Sequence, residues 1–248
     1  MGLLAPDTGT VTVLDGPPAS GPGQLAQVGF VAQDTPVYAG LSVADHLRFG
    51  AHLNPGWDTG YAERRVERLG LDPGQWAGKL SGGQRAQLAL TLAIAKRPRL
   101  LILDEPVASL DPLARREFLQ DLMEAVAEHE VSVILSSHLV SDLERVCDYL
   151  VVLAASRVQI AGDVDALIAS HHRLIGPRRD PGSLPGDQQV IQASHTDRQS
   201  TLIVQSRHPV LDPAWTVEQL NLEDLVLAYM SQASETTRSR RPVLEVQR

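Results

Sequence analysis

The segment Lys79-Leu80-Ser81-Gly82-Gly83-Gln84 constrains this chain more than any other, because an apolar stretch ending in two acids lies close behind it. It heads an apolar helical run, Arg85 to Lys96, and then come Leu100-Leu101-Ile102-Leu103 and Asp104-Glu105-Pro106. The run 100–103 is too short for a helix and is bounded by Pro98 and Pro106, so it reads as a fully buried parallel strand. A parallel strand alternating with helices requires an α/β sheet. Asp104 and Glu105 then lie at the strand's carboxyl end, where open α/β sheets bind ligands. Two adjacent carboxylates there are costly to desolvate without a cation or a proton. Gly82 and Gly83 lack side-chain bulk and permit positive φ, which lets backbone N–H groups converge. Ser81 adds a hydroxyl and the helix adds its positive end, which together suit phosphate oxygens. The plainer readings are an ordinary Ser/Gly helix cap and a solvated turn at a strand end.

Taken together, in this order and spacing, the two segments resemble the ATP-binding subunit of an ABC transporter, and the C-terminal tail after residue 187 resembles the small extension of exporter-type subunits. The resemblance implies a P-loop NTPase-type α/β fold: a mostly parallel sheet, a helical subdomain and a small α+β C-terminal extension. It implies ATP and Mg²⁺ as cofactors. Asp104 is then expected to hold the Mg²⁺ through water, and Glu105 to act as general base on the attacking water. Gln33 ends the strand Val28–Ala32, within Val-Gly-Phe-Val-Ala-Gln, and by resemblance reaches the Mg²⁺ and the water; an exposed strand-end Gln is the plainer alternative. His138 comes after the β-branched strand Val131–Leu135 and Ser136-Ser137, and by resemblance contacts the γ-phosphate. Ser81, Gly82, Gly83 and Gln84 would meet an ATP held by the opposite subunit of a head-to-tail dimer. Asp111 is a good N-cap with Pro112 at the first helical position; in the family this Ser-Leu-Asp loop also crosses to the other subunit, and both roles stand.

One part is missing. No Gly-x-x-x-x-Gly-Lys-Ser/Thr occurs anywhere in the 248 residues, so the loop that cradles the β- and γ-phosphates is not among them. The chain resembles an ATP-binding domain that starts just past the phosphate-loop helix. Ile102 and Ile134 are then expected to lack packing partners, and such a chain to fold poorly and to hydrolyse no ATP by itself. The alternative is a non-catalytic partner that donates Ser81–Gln84 in trans to a complete ATPase. A soluble ABC ATPase of DNA repair or translation fits less well. Repair types insert long coiled coils where only the short interval Gln33–Ser81 stands, and translation types usually carry two signatures.

Composition excludes several other classes. The net charge of −8 argues against a nucleic-acid partner. The single cysteine, Cys147, allows no internal disulfide. No apolar run approaches the ~20 residues that span a bilayer, and no secretory pattern opens the chain. The expected setting is therefore cytoplasmic and peripheral, on the inner face of the cell membrane. The expected partners are a transmembrane permease subunit and a second ATP-binding subunit.

Along the chain, Thr10–Leu14 alternate like a strand and Pro17–Gly23 form a loop. Ser42 caps a helix through Val43, Leu47 and Phe49. Tyr61–Leu69 form another, with Arg64, Arg65, Glu67 and Arg68 on its wet side. His46 and His52 read as surface histidines. The helix after Asp111 turns Phe118, Leu119, Leu122, Met123 and Val126 inward. The expected boundaries are an ATP-binding domain at 1–175 (helical subdomain about 41–96), a Pro/Gly linker at 176–187, an extension at 188–232 and a disordered tail at 233–248.

Overall fold

The computed structural model describes residues 2–179, 184 and 188–240, without side chains for 236–240. The described residues fall into two compact units, one up to His138 and one from Leu139 onward.

In the first unit a short helix α1 (Pro22–Ala26) leads into strand β1 (Val28–Val31). Helices α2 (Val43–Leu53), α3 (Thr59–Arg68) and α4 (Gly82–Ala95) come next. Strand β2 (Leu100–Asp104), helix α5 (Pro112–His129) and strand β3 (Ser132–Ser136) complete it. The three strands pair in parallel in the order β1-β2-β3. The register sets Val31 against Leu103 and Leu103 against Leu135. All three therefore end at one sheet edge. Leu101 and Leu103 are buried against one side of the sheet. The opposite side is less covered: the cross-strand row Phe30, Ile102 and Ile134 leaves Ile134 57 % exposed. Strand β2 is thus parallel as expected, but buried fully on one face only.

The helix starts obey the capping logic of the sequence. Ser42 and Asp45 form a reciprocal capping box on α2, and Asp58 caps α3 through the Tyr61 amide at 2.7 Å. Other expectations are corrected. Thr10–Leu14 form no strand; only a Val13–Gly16 bridge lies there. Residues 22–23 begin α1 instead of closing a loop. Met123 faces solvent, and Ala125 takes the inward place. His46 is not a surface residue but 3 % exposed. Its Nε2 accepts the Tyr38 amide at 3.0 Å and its Nδ1–H donates to the Ser42 carbonyl at 2.8 Å, so it ties the 33–41 loop to α2. Arg65 is likewise not on the wet side: it is 4 % exposed. It donates to Thr91 Oγ1 (3.0 Å), Gln87 Oε1 (2.8 Å) and Asp121 Oδ2 (3.2 Å), joining α3 to α4 and α5.

A second clasp closes the other end of the same three helices. Arg97 Nε, just past α4, donates to Asp58 Oδ2 at 3.0 Å, and its Nη1 faces both ring nitrogens of His129, with Nε2 at 2.9 Å. The Tyr61 ring lies edge-on to His129 and under the Arg97 guanidinium. His129 accepts from Arg97 only when neutral. Burial, and next the Arg97 charge, push its pKa below the usual 6.5, against the weaker pull of Glu128 and Asp58. The unfolded chain therefore takes up this proton first. The clasp contributes fully above about pH 6.5 and is lost as the pH falls below it. His171, buried in the second unit, has a pKa lowered in the same way and adds its own slope. The informative quantity is therefore a difference. Chemical denaturation at about pH 7.5 and about pH 5.5 is expected to show wild type losing on the order of 1 kcal/mol more than His129→Gln, whose amide oxygen accepts at both.

In the second unit a one-turn helix α6 (Val140–Leu143) precedes the antiparallel pair β4 (Tyr149–Ala154) and β5 (Arg157–Asp163). Helix α7 (Val164–Ser170) runs into β6 (His171–Pro177). Strands β7 (Gln188–His195), β8 (Gln199–Ser206) and β9 (Thr216–Gln219) and helix α8 (Leu222–Arg240) complete the unit. The antiparallel sheet runs β7-β8-β6-β9. Leu150, Val152 and Leu167 share a core with Leu222, Leu225 and Tyr229. That shared core groups 149–170 with the C-terminal sheet in one compact unit that begins after His138. Gly176 and Pro177, expected in a linker, end β6 by pairing with β8. The expected disordered tail is corrected over 233–240, which continue α8; 241–248 lie outside the described residues. Among the described residues no helix is long and apolar enough to cross a membrane.

Candidate functional site

Because β1, β2 and β3 are parallel and in register, their carboxyl ends bring Gln33, Asp104, Glu105 and His138 to one edge of the sheet. Three of the four are linked by hydrogen bonds. His138 Nδ1–H donates to Glu105 Oε2 at 2.6 Å, and no group among the described residues bonds the Nε2 side of its exposed ring. Ser136 Oγ–H donates to Asp104 Oδ1 at 2.8 Å and accepts the Glu105 amide at 2.9 Å. Glu105 has φ 49°, a left-handed conformation uncommon for an L residue with a long side chain. Gln33 lies in the turn after β1 with an exposed side chain, and no hydrogen bond among the described residues joins it to the two acids. Reading the sequence for chemistry singles out the acids and the histidine but misses Ser136. The signal was available only through pairing: once β2 and β3 are parallel neighbours, Ser136 stands opposite Asp104.

Ser81–Gln84 lie elsewhere on the same unit. Ser81 Oγ accepts the Gln84 amide at 3.2 Å, and Gln84 Oε1 accepts the Ser81 amide at 2.9 Å. This capping box turns the serine and glutamine toward the helix itself. The expectation of positive φ is corrected, since Gly82 and Gly83 form the first turn of α4 with ordinary helical backbone. Their lack of a side chain matters for space instead. A Cβ on Gly83 would stand 3.1 Å from the Ala114 methyl, whereas one on Gly82 meets only Leu110, at 3.9 Å. The Gly82 and Gly83 amides have no acceptor among the described residues, as the first N–H groups of a helix do unless a ligand supplies one. Asp111 Oδ1 accepts the Leu113 and Ala114 amides at 3.0 and 3.1 Å. It caps α5, which packs beside α4.

Comparison with known proteins bears on this arrangement. The family model described as ABC transporter matches residues 1–108. The thiamine import ATP-binding protein ThiQ of Escherichia coli (strain UTI89 / UPEC) is 30 % identical over 185 residues, which cover 71 % of this chain and 79 % of that protein. The chain belongs to the ABC transporter ATP-binding family. The molybdenum import ATP-binding protein ModC of Aromatoleum aromaticum is 35 % identical over 150 residues, covering 57 % of this chain and 38 % of ModC. The chain thus matches well under half the length of that relative. A solved structure described as the ATP binding subunit of an ABC transporter superposes with a TM-score of 0.59 at 28 % identity, covering 68 % of this chain and 72 % of the other. The CbiO1 subunit from Clostridium perfringens, described as part of the ABC transporter complex CbiONQ, gives 0.57 at 27 % identity, covering 68 % and 71 %. Membership in this family accounts for a P-loop NTPase-type sheet whose acids sit at the carboxyl edge.

Proposed function

We propose that this chain is an ATP-binding and ATP-hydrolysing subunit that couples ATP turnover in a head-to-tail dimer to transport through a separate transmembrane permease. The observation that supports it most directly is the hydrogen-bonded set Asp104, Ser136, Glu105 and His138 at one sheet edge. Asp104 suits Mg²⁺, which prefers one or two carboxylates plus water: it is exposed, and its Oδ2 makes no bond to Ser136. Mg²⁺ there would neutralise phosphate charge. Glu105 keeps Oε1 available to orient a water, Gln33 flanks the acids, and in the doubly protonated ring His138 Nε2–H would donate to a phosphate oxygen while Nδ1–H stays on Glu105. The Gly82 and Gly83 amides would take phosphate oxygens of a nucleotide held by the opposite subunit, with Asp111 crossing nearby. The segment 41–96 would carry this signature surface and face the permease. The 248 residues hold no phosphate loop, so the cradle for the β- and γ-phosphates comes from outside them. The relatives ThiQ and ModC are import subunits, which favours uptake over the export suggested by the C-terminal extension. The chain would lie on the inner face of the membrane.

Gly82 offers the cleanest test. Alanine there meets nothing closer than 3.9 Å within the protein, yet it puts a methyl group where phosphate would approach. Light scattering on the full chain mixed with a complete ATP-binding subunit and Mg-ATP is expected to show ATP-dependent association. Gly82→Ala should weaken it about tenfold or more, at the cost of roughly one lost charge-assisted bond, with unchanged thermal melting. Association that ignores the substitution would sink the signature role.

A further inference from the structure

We propose that Ser136 is a positioning residue that fixes both acids of the site with a single hydroxyl. What the acids do rests on the proposed ATPase function, but the geometry stands by itself. A serine hydroxyl has one proton to give and two lone pairs to accept with. Here the proton goes to Asp104 Oδ1 and a lone pair takes the Glu105 amide. The first bond selects which Asp104 oxygen is left for an ion. The second anchors the residue where the backbone turns to φ 49°. A left-handed glutamate persists only where its surroundings hold it, and the Ser136 bond is the one that reaches its amide from the neighbouring strand. The left-handed turn in its turn aims the Glu105 carboxylate back toward β3, where His138 Nδ1 meets it. One β3 residue thus sets the metal-facing acid directly and the base through its backbone. Only a side chain with a hydroxyl at the first carbon does both from this register position: alanine and valine make neither bond, and asparagine is too long for the 2.8 and 2.9 Å contacts.

The test uses the full chain with Ser136→Ala and Ser136→Thr, and reads two quantities. Amide hydrogen exchange at Glu105, monitored by NMR without nucleotide, reports the anchoring bond. Turnover in the assembly with a complete partner subunit reports positioning. Ser136→Ala is expected to speed Glu105 exchange about tenfold, the worth of one such bond. It should lower kcat about tenfold with KM unchanged, the pattern of an interaction made in the transition state only. Ser136→Thr should restore both. Glu105 exchange unchanged in Ser136→Ala would overturn the proposal, as would faster exchange with unaltered kcat. An assembly of wild-type chain that never turns over ATP would defeat the ATPase reading instead; the exchange result would then still decide whether Ser136 anchors Glu105.

Discussion

Arg65→Ala is expected to remove about 3–5 kcal/mol of stability, the usual cost of breaking a buried ion pair from one side. Against a total of roughly 5–15 kcal/mol, this is a large fraction of the stability. From α3 the guanidinium reaches two further helices, α4 and α5, and each partner is left in a different condition. Thr91 is fully buried and keeps its bond to the Gln87 carbonyl at 2.7 Å. Gln87 Oε1 loses its donor. Asp121 retains Arg68, at 2.9 Å on its other oxygen. The cost therefore comes from desolvated amide and carboxylate oxygens more than from lost attraction. Arg65→Lys should recover only part of it, because an ammonium cannot present the planar fork that serves Thr91, Gln87 and Asp121 together. The measurement is urea denaturation at pH 7, with Arg68→Ala as the control. Arg68 is half exposed, so its loss should cost no more than about 1 kcal/mol. Equal costs for the two arginines would refute the buried-network account.

Arg65 also shows where sequence reading ends. The charges at 64, 65, 67 and 68 look like one solvated face, and helical spacing alone does not say that α4 and α5 both press on that helix. Burial of Arg65 depends on Gln87 and Asp121, far along the chain. His46 fails to be legible for the same reason: its partners are backbone groups in a loop whose path no side-chain pattern encodes. By contrast, Ser42, Ser81 and Asp111 cap helices through bonds that span two or three residues, and local chemistry is what a sequence displays. The strands of the acidic edge were legible for another reason, since a short apolar run ending in charge has few places to go in an α/β sheet. Their register was not, and register is what brings Ser136 to Asp104. In the second unit the sheet was half legible. The β7–β8 pair alternates plainly, but β6 hides behind Gly176-Pro177, a pair that normally signals a loop. Its hydrogen bonds to β8 and β9 override that local preference.

Glu105→Gln is expected to lower ATP turnover by roughly 10²–10⁴-fold, the range for loss of a positioned general base. The substitution is nearly isosteric, and its consequences for structure are small for a specific reason. A glutamine Oε1 can still accept from His138 Nδ1, and the backbone amide of residue 105 still reaches Ser136 Oγ. The left-handed turn and the His138 contact should both survive. Nucleotide-dependent association should survive as well, because no part of the Ser81–Gln84 surface is touched. What disappears is the basicity of the second oxygen, the one that His138 leaves free. Turnover and association measured side by side, on the full chain mixed with a complete partner subunit, separate the possibilities. Loss of turnover with intact association assigns Glu105 to the chemistry. Loss of both would mean that the carboxylate holds the site together and another group activates water. Turnover within about tenfold of wild type would place the active hydrolytic site on the partner chain alone, with the present chain contributing its signature surface.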